Sequence, residues 1–327
     1  MADKVTEMVR TTLAALVLGM VAVLVGTAPI GIAEPVTGVN SCQVPPNLVG
    51  AQVAGAGETE VSDNSDWLWD AHVAYVDWVL KATPTTEELF KRADGQWEPE
   101  RLRQQNALLD EYWHLNGGDD MPREGMAIIA GGVSGAGKTT LLEGQPTIRQ
   151  QRYFVVNPDD MKEAMAARAM IPAIPALSPM EASANAHEEA SMLAKRLAER
   201  AYRQRTNVIW DITMSSEASV RDRLAALQNA GYGQIDAVFV DTHLQTARQR
   251  VMQRWRRGQE KYWAGEGLGG RYVPEDFIDM SKPGKPGFSS RNQEIFYQFR
   301  DRFSSTVEYD NSGAAPIQRC VTGPRWR

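Results

Sequence analysis

Gly132-Val133-Ser134-Gly135-Ala136-Gly137-Lys138-Thr139 is the stretch whose reading decides the fold. It meets every fixed position of the phosphate-loop pattern G-x-x-x-x-G-K-[ST]. Small residues let successive backbone N–H groups turn inward round a phosphate, Lys138 reaches the outer phosphate oxygens, and the Thr139 hydroxyl can hold Mg²⁺. Residues 126–130 (MAIIA) read as a buried strand before the loop, and Thr139 and Thr140 open a helix after it. The helix N-terminus then faces the anion. A glycine-rich turn matching by chance would not account for that order of strand, loop and helix. Gly132 to Thr140 is therefore the expected nucleotide site.

Outward from the loop, strand and helix patterns alternate, which predicts an α/β fold: a P-loop kinase-like, mostly parallel sheet with helices on both faces. Strands are expected at residues 153–156, 207–211, 235–241 and 306–309, and one long helix over 181–204. Before the sheet, residues 67–80 and 99–115 carry apolar residues at helical spacing and predict a small helical extension. The expected organisation is a signal peptide or membrane anchor over 1–33, a linker over 34–63, the helical extension over 64–120, the kinase-like domain over 121–315 and a C-terminal tail over 316–327.

The chain of 327 residues is long enough for one full domain with additions. At 43% hydrophobic and 23% charged it has the make-up of a globular protein. Its net charge of -6 runs against a nucleic-acid partner, whose footprint is basic. Four scattered histidines (His72, His114, His187, His243) and two cysteines give no zinc spacing, so no structural metal is expected. Residues 13–33 form a run of 21 residues without charge, preceded by Lys4 and Arg10. Such a run suits an export signal or an uncleaved anchor, with membrane association through residues 11–33. Outside the cytosol Cys42 and Cys320 would pair; inside it they would stay thiols.

In an open parallel sheet ligands bind beyond the carboxyl ends of the strands. Three groups are placed there: the loop itself, Asp159 with Asp160 after Pro158, and Asp211 with Thr213. A kinase needs a carboxylate to accept the proton of the attacking hydroxyl, Mg²⁺ to bridge phosphates, and cations to neutralise the transferred group. Asp159 is the expected base and a candidate helix cap, with Asp160 mainly structural. Arg250, Arg254 and Arg257 share one face of a helix predicted over 246–258, ahead of a glycine-rich loop that carries Arg271. A solvated basic stripe is the plainer reading of that face.

Taken together, the P-loop, Asn157-Pro158-Asp159-Asp160-Met161-Lys162, His187-Glu188-Glu189-Ala190-Ser191, residues 207–213 and Gly270-Arg271 resemble the zeta toxin family of P-loop kinases over residues 125–312. The resemblance implies phosphorylation of a sugar hydroxyl of UDP-N-acetylglucosamine with ATP and Mg²⁺, which poisons cell-wall synthesis, and an antitoxin protein as partner. By motif it implies that Lys138 and Thr139 bind ATP and Mg²⁺, that Asp159 is the base, that Asp211, Thr213 and Glu189 face the acceptor, and that Arg254 and Arg271 clamp phosphates. Asp211 stands where characterised members have glutamate. Two other readings remain open: a P-loop kinase for another small hydroxyl compound, and a non-catalytic NTP-binding protein at the membrane. A GTPase is disfavoured because no N-K-x-D motif occurs.

Overall fold

The computed structural model of the protein describes residues 66–326. The uncharged run 13–33, the linker 34–63 and Cys42 lie outside these residues. Strands β1 (Met126–Gly131), β2 (Phe154–Val156), β3 (Val208–Asp211), β4 (Gln234–Asp241), β5 (Thr306–Asp310) and β6 (Ile317–Thr322) form one sheet in the order β2-β3-β1-β4-β5-β6. The first five run parallel, and β6 is antiparallel to β5. The near-continuous apolar runs of β1, β3 and β4 are what strands covered on both faces require. Because side chains alternate, Ala127 and Ile129 of β1 enter the apolar layer on one face of the sheet, while Ile128 and Ala130 enter the layer on the other.

The main helices are α1 (Asp66–Ala82), α2 (Pro99–Leu115), α3 (Lys138–Gly144), α4 (Pro158–Ala167), α5 (His187–Gln204), α6 (Glu217–Asn229), α7 (Leu244–Trp263) and α8 (Arg291–Phe299). The α/β architecture is thus the one expected, with a helical N-terminal extension. That extension shares the domain's core: Val76 and Leu80 of α1 and Leu108 and Trp113 of α2 are buried in the same layer as Ile129, and the Trp113 ring lies 4.5 Å from Phe154.

Two elements depart from expectation. The helix predicted over 181–204 is broken: a turn at Pro179–Ala182 and a 3-10 turn at Ser183–Ala186 precede α5. Here polar side chains compete with the helical ladder. Ser183 Oγ donates to the Met180 carbonyl at 2.7 Å, and Asn185 Nδ2 reaches the carbonyls of Leu80 and Thr83 at 3.0 and 2.9 Å. The segment set apart as a C-terminal tail supplies β6, the antiparallel edge of the sheet, on which Cys320 is buried. Among the described residues no helix is long and apolar enough to cross a membrane.

Candidate active site

β1 delivers the chain into the phosphate loop at Gly132, where φ is 141° and a Cβ would overlap the Val240 carbonyl oxygen of β4. Only glycine meets both conditions. Two hydrogen bonds fix the loop's shape: Gly132 N donates to the Thr213 carbonyl at 3.3 Å, and Asn311 Nδ2, just beyond β5, donates to the Ala136 carbonyl at 2.7 Å. Lys138 opens α3 and folds back, with Nζ donating to the Gly132 carbonyl at 2.9 Å. Thr139 and Thr140 follow it on the exposed side.

Register carries Asp211 to the same place, since Ala130 of β1 pairs with Asp211 at the end of β3. Its carboxylate, 6% exposed, lies 3.7 Å from Lys138 Nζ. Thr139 Oγ1 sits at the edge of hydrogen-bonding distance, 3.5 Å, and Asn157 Nδ2 donates to the same oxygen at 3.3 Å. Burial raises the Asp211 carboxyl above its usual range, against the pull of Lys138. Thr213, half-buried two residues on, donates its hydroxyl to Ser215 Oγ at 3.0 Å.

The second strand end brings the paired aspartates. Asn157, extended ahead of Pro158, caps α4 with its side-chain oxygen, which accepts from Asp159 N at 2.9 Å. Asp159 was the expected cap; with Asn157 in that role, its carboxylate is released toward the strand ends. Arg271 Nη1 lies 2.5 Å from Asp159 Oδ2, and Lys162 Nζ lies 3.6 Å from Oδ1. Arg271 also pairs through Nη2 with Glu163 Oε1 at 2.6 Å, while its buried Nε has no acceptor among the described residues.

Adjacent carboxyls here titrate in opposite directions. Burial pushes Asp159 up, but the charges of Arg271, Lys162, Arg254 and Lys138 outweigh it and hold the carboxyl below its usual range. Asp160 points elsewhere, accepts from Tyr112 OH of α2 at 3.4 Å, and is pushed up to about 7 by burial, with the charge of Glu163 adding to the rise. Environments that drive neighbouring groups apart mark an acid/base site.

Arg254 lies on the face of α7 where Arg250, Gln253, Arg257, Gly258 and Lys261 line a hollow of about 450 Å³. Glu189 is a correction. It is fully buried under α2, gripped at 2.8 and 2.7 Å by Arg101 and at 2.7 Å by Gln105, so no oxygen is left to face an acceptor. The sequence reading gave no role to Asn157, Lys162, Glu163 or Tyr112. The Asp159 to Lys162 spacing, one helical turn, was the available signal. Tyr112 carried none, because it comes from a separate element.

The model of one protein family, described as Zeta toxin, matches residues 119–286. The chain belongs to the zeta toxin family. No curated protein matches it. Similar solved structures include the AvrRxo1-ORF1:-ORF2 complex with ATP, at 16% identity and a TM-score of 0.55, with 74% of this chain and 77% of that one covered. The same pair with sulphate ions gives 17% and 0.52, covering 82% and 75%. The PezAT chromosomal toxin–antitoxin system of Streptococcus pneumoniae gives 16% and 0.48, covering 68% and 82%. The AvrRxo1 likenesses show that this zeta toxin family member shares their fold.

Proposed function

We propose that this zeta toxin family member is an ATP-dependent kinase that transfers the γ-phosphoryl group of ATP to a hydroxyl of a nucleotide sugar such as UDP-N-acetylglucosamine. The family and the phosphate loop support the kinase. The observation that carries the mechanism is the carboxylate of Asp159, kept ionised by the cations gathered at the P-loop mouth. In this reading an acceptor hydroxyl hydrogen-bonded to Asp159 attacks phosphorus, the bond to the ADP oxygen breaks, and the hydroxyl proton passes to Asp159 late in the transfer. A low-pKa carboxylate suits that task, since it acts mainly by orienting the nucleophile until the proton is acidic. Lys138 neutralises the outer phosphates, and Arg271 turns its unpartnered Nε and its η nitrogens to the transferred group. Arg254 completes the clamp.

The donor set at the loop mouth, one hydroxyl and one carboxylate, fits Mg²⁺, a hard cation that takes oxygen ligands. Thr139 and Asp211 would hold it, and when bound it would neutralise charge on the phosphates. In this reading Asp211 belongs with the nucleotide rather than with the acceptor, and its contacts with Thr139, Lys138 and Asn157 support that assignment. Thr213 stays on the acceptor side. An antitoxin protein that restrains the kinase is the partner this reading implies.

The deciding experiment incubates the protein with MgATP and a panel of nucleotide sugars, sugars and nucleosides, following ADP release and the phosphorylated product. Asp159→Asn should bind ATP normally while turnover falls by about 10²–10⁴. Turnover unaffected by that change would overturn the mechanism, and product from a different acceptor would overturn the nucleotide-sugar assignment alone.

A further inference from the structure

Away from the phosphate loop, one fully buried carboxylate has no part in the chemistry above. Glu181 sits in the Pro179–Ala182 turn with no solvent exposure. Its Oε2 accepts from Ser178 N, Ser178 Oγ and Gln259 Nε2 at 2.9, 3.0 and 2.9 Å. Its Oε1 accepts from Trp255 Nε1 at 3.0 Å and meets His72 Nε2 of α1 at 2.8 Å. The bond from Ser178 N, with Glu181 N donating back to Ser178 Oγ at 3.3 Å, forms an ordinary capping box that would exist for the sake of the turn alone. The bonds from Gln259, Trp255 and His72 come from two elements the turn does not need, α7 and α1, and α7 carries Arg254.

Trp255 is the chain neighbour of Arg254, and Gln259 lies one helical turn further along α7. Gln259 Oε1 in turn accepts from Gly270 N, the residue before Arg271, at 3.4 Å, and lies 2.9 Å from Ser178 Oγ, whose single proton it shares with Glu181 Oε2. Met180 N donates to the Leu268 carbonyl at 3.0 Å, a second fastening of the Arg271 loop to the same turn. The loop presses so closely on α7 that a Cβ at Gly270 would overlap the Trp255 carbonyl. On the far side Tyr272, next after Arg271, packs its ring 5.4 Å from Trp255 and donates to Asp77 Oδ1 of α1 at 2.9 Å. One buried carboxylate thus touches the residue beside one arginine, and through Gln259 the residue beside the other.

We propose that Glu181 is a positioning residue for phosphoryl transfer: it sets Arg254 and Arg271 in register with each other and, through His72 with the Asp77–Tyr272 contact beside it, makes α1 part of that alignment. The proposal rests on the kinase reading above. A buried carboxylate whose acceptor positions are all filled is stiff, and a misplacement of about 1 Å in a clamping group costs up to about 10²-fold in rate.

The test measures single-turnover consumption of γ-labelled ATP by the full chain with Mg²⁺, with UDP-N-acetylglucosamine present and with water as the sole acceptor. Four proteins are compared: wild type, Glu181→Gln, Arg271→Ala and the double variant. ATP affinity is measured separately by equilibrium binding. The expected result is a fall of about 10–100-fold in the rate constant for Glu181→Gln with ATP affinity within about twofold, and a smaller loss when it is added to Arg271→Ala than when it is made alone, because part of its effect runs through that arginine. Tyr272→Phe, which keeps the ring and removes only the bond to Asp77, should lower the rate in the same non-additive way and serves if Glu181→Gln does not fold. A normal rate in Glu181→Gln and Tyr272→Phe, or effects that multiply with Arg271→Ala, would overturn the positioning role while the kinase reading stands. An Arg271→Ala variant as fast as wild type would remove the arginine assignment itself, and the positioning role with it.

Discussion

Arg271 Nη1 and Asp159 Oδ2 are in contact at 2.5 Å, so the cation proposed to clamp phosphate and the carboxylate proposed to take the acceptor hydroxyl neutralise each other in this structure. Burial alone would raise Asp159; Arg271 is the largest of the charges that reverse it. An incoming phosphoryl group would draw the guanidinium away and leave the carboxylate free to take a hydroxyl.

That contact makes the acid limb of activity a test of the pairing. With Asp159 held below the ordinary carboxylate range, kcat/KM should stay level as pH falls until the medium is distinctly acidic. Arg271→Ala removes the strongest counter-charge, so desolvation gains and the Asp159 carboxyl titrates at higher pH. The limb should shift upward in pH in that variant, beyond the loss in rate at the plateau. A limb that does not move would show that another group governs it.

Asp160 gives the opposite linkage. Its carboxyl is raised to about 7 in the folded chain, so between the unfolded value and 7 the native state holds a proton that the unfolded state releases. Its contribution is therefore fully present below the unfolded pKa and is lost as pH rises through 7. Asp160→Asn should flatten that part of the profile and melt higher than wild type at pH 8, with the two proteins closer at pH 5. Thermal melts across that range decide it. Equal gaps at the two pH values would place the carboxyl's titration elsewhere.

How much of this was legible in the sequence follows from where each signal lives. The P-loop, the sheet and the strand-end aspartates are local patterns, and period and turn chemistry exposed them directly. β6 was missed because Ile317, Gln318 and Arg319 are exposed and the strand exists only through its pairing with β5. Glu189 was misread because its fate depends on Arg101, a residue of another element whose arrival no local pattern announces. Asn157 was overlooked beside a more conspicuous carboxylate, although a residue before Pro at a helix start is a natural cap.

The Arg101–Glu189 pair has its own signature. Both side chains are almost wholly buried, at 3% and 0% exposure, so Arg101→Met leaves a carboxylate without its counter-charge. A loss of about 3–5 kcal/mol is expected by denaturant unfolding. Adding Glu189→Leu should restore much of it, because two apolar groups can replace a buried pair at little cost. In each variant that folds, turnover per folded molecule should match wild type; a specific loss of turnover would return Glu189 to the site.

The placement of Asp211 beside Thr139 predicts a metal phenotype distinct from an acceptor phenotype. If Asp211 helps hold Mg²⁺, Asp211→Asn should raise the Mg²⁺ concentration needed for half-maximal rate and leave the KM for the acceptor near its wild-type value at saturating Mg²⁺. A chelator should abolish turnover in both proteins, and added Mg²⁺ should restore wild type at the lower concentration. The substitution keeps size and hydrogen-bonding shape, and it removes a charge that burial already strains, so the fold should tolerate it. Lys138 loses its counter-ion in the same step, so ATP affinity is measured alongside and should rise or hold. A raised acceptor KM with an unchanged Mg²⁺ requirement would move Asp211 back to the acceptor sugar, where the family resemblance first put it.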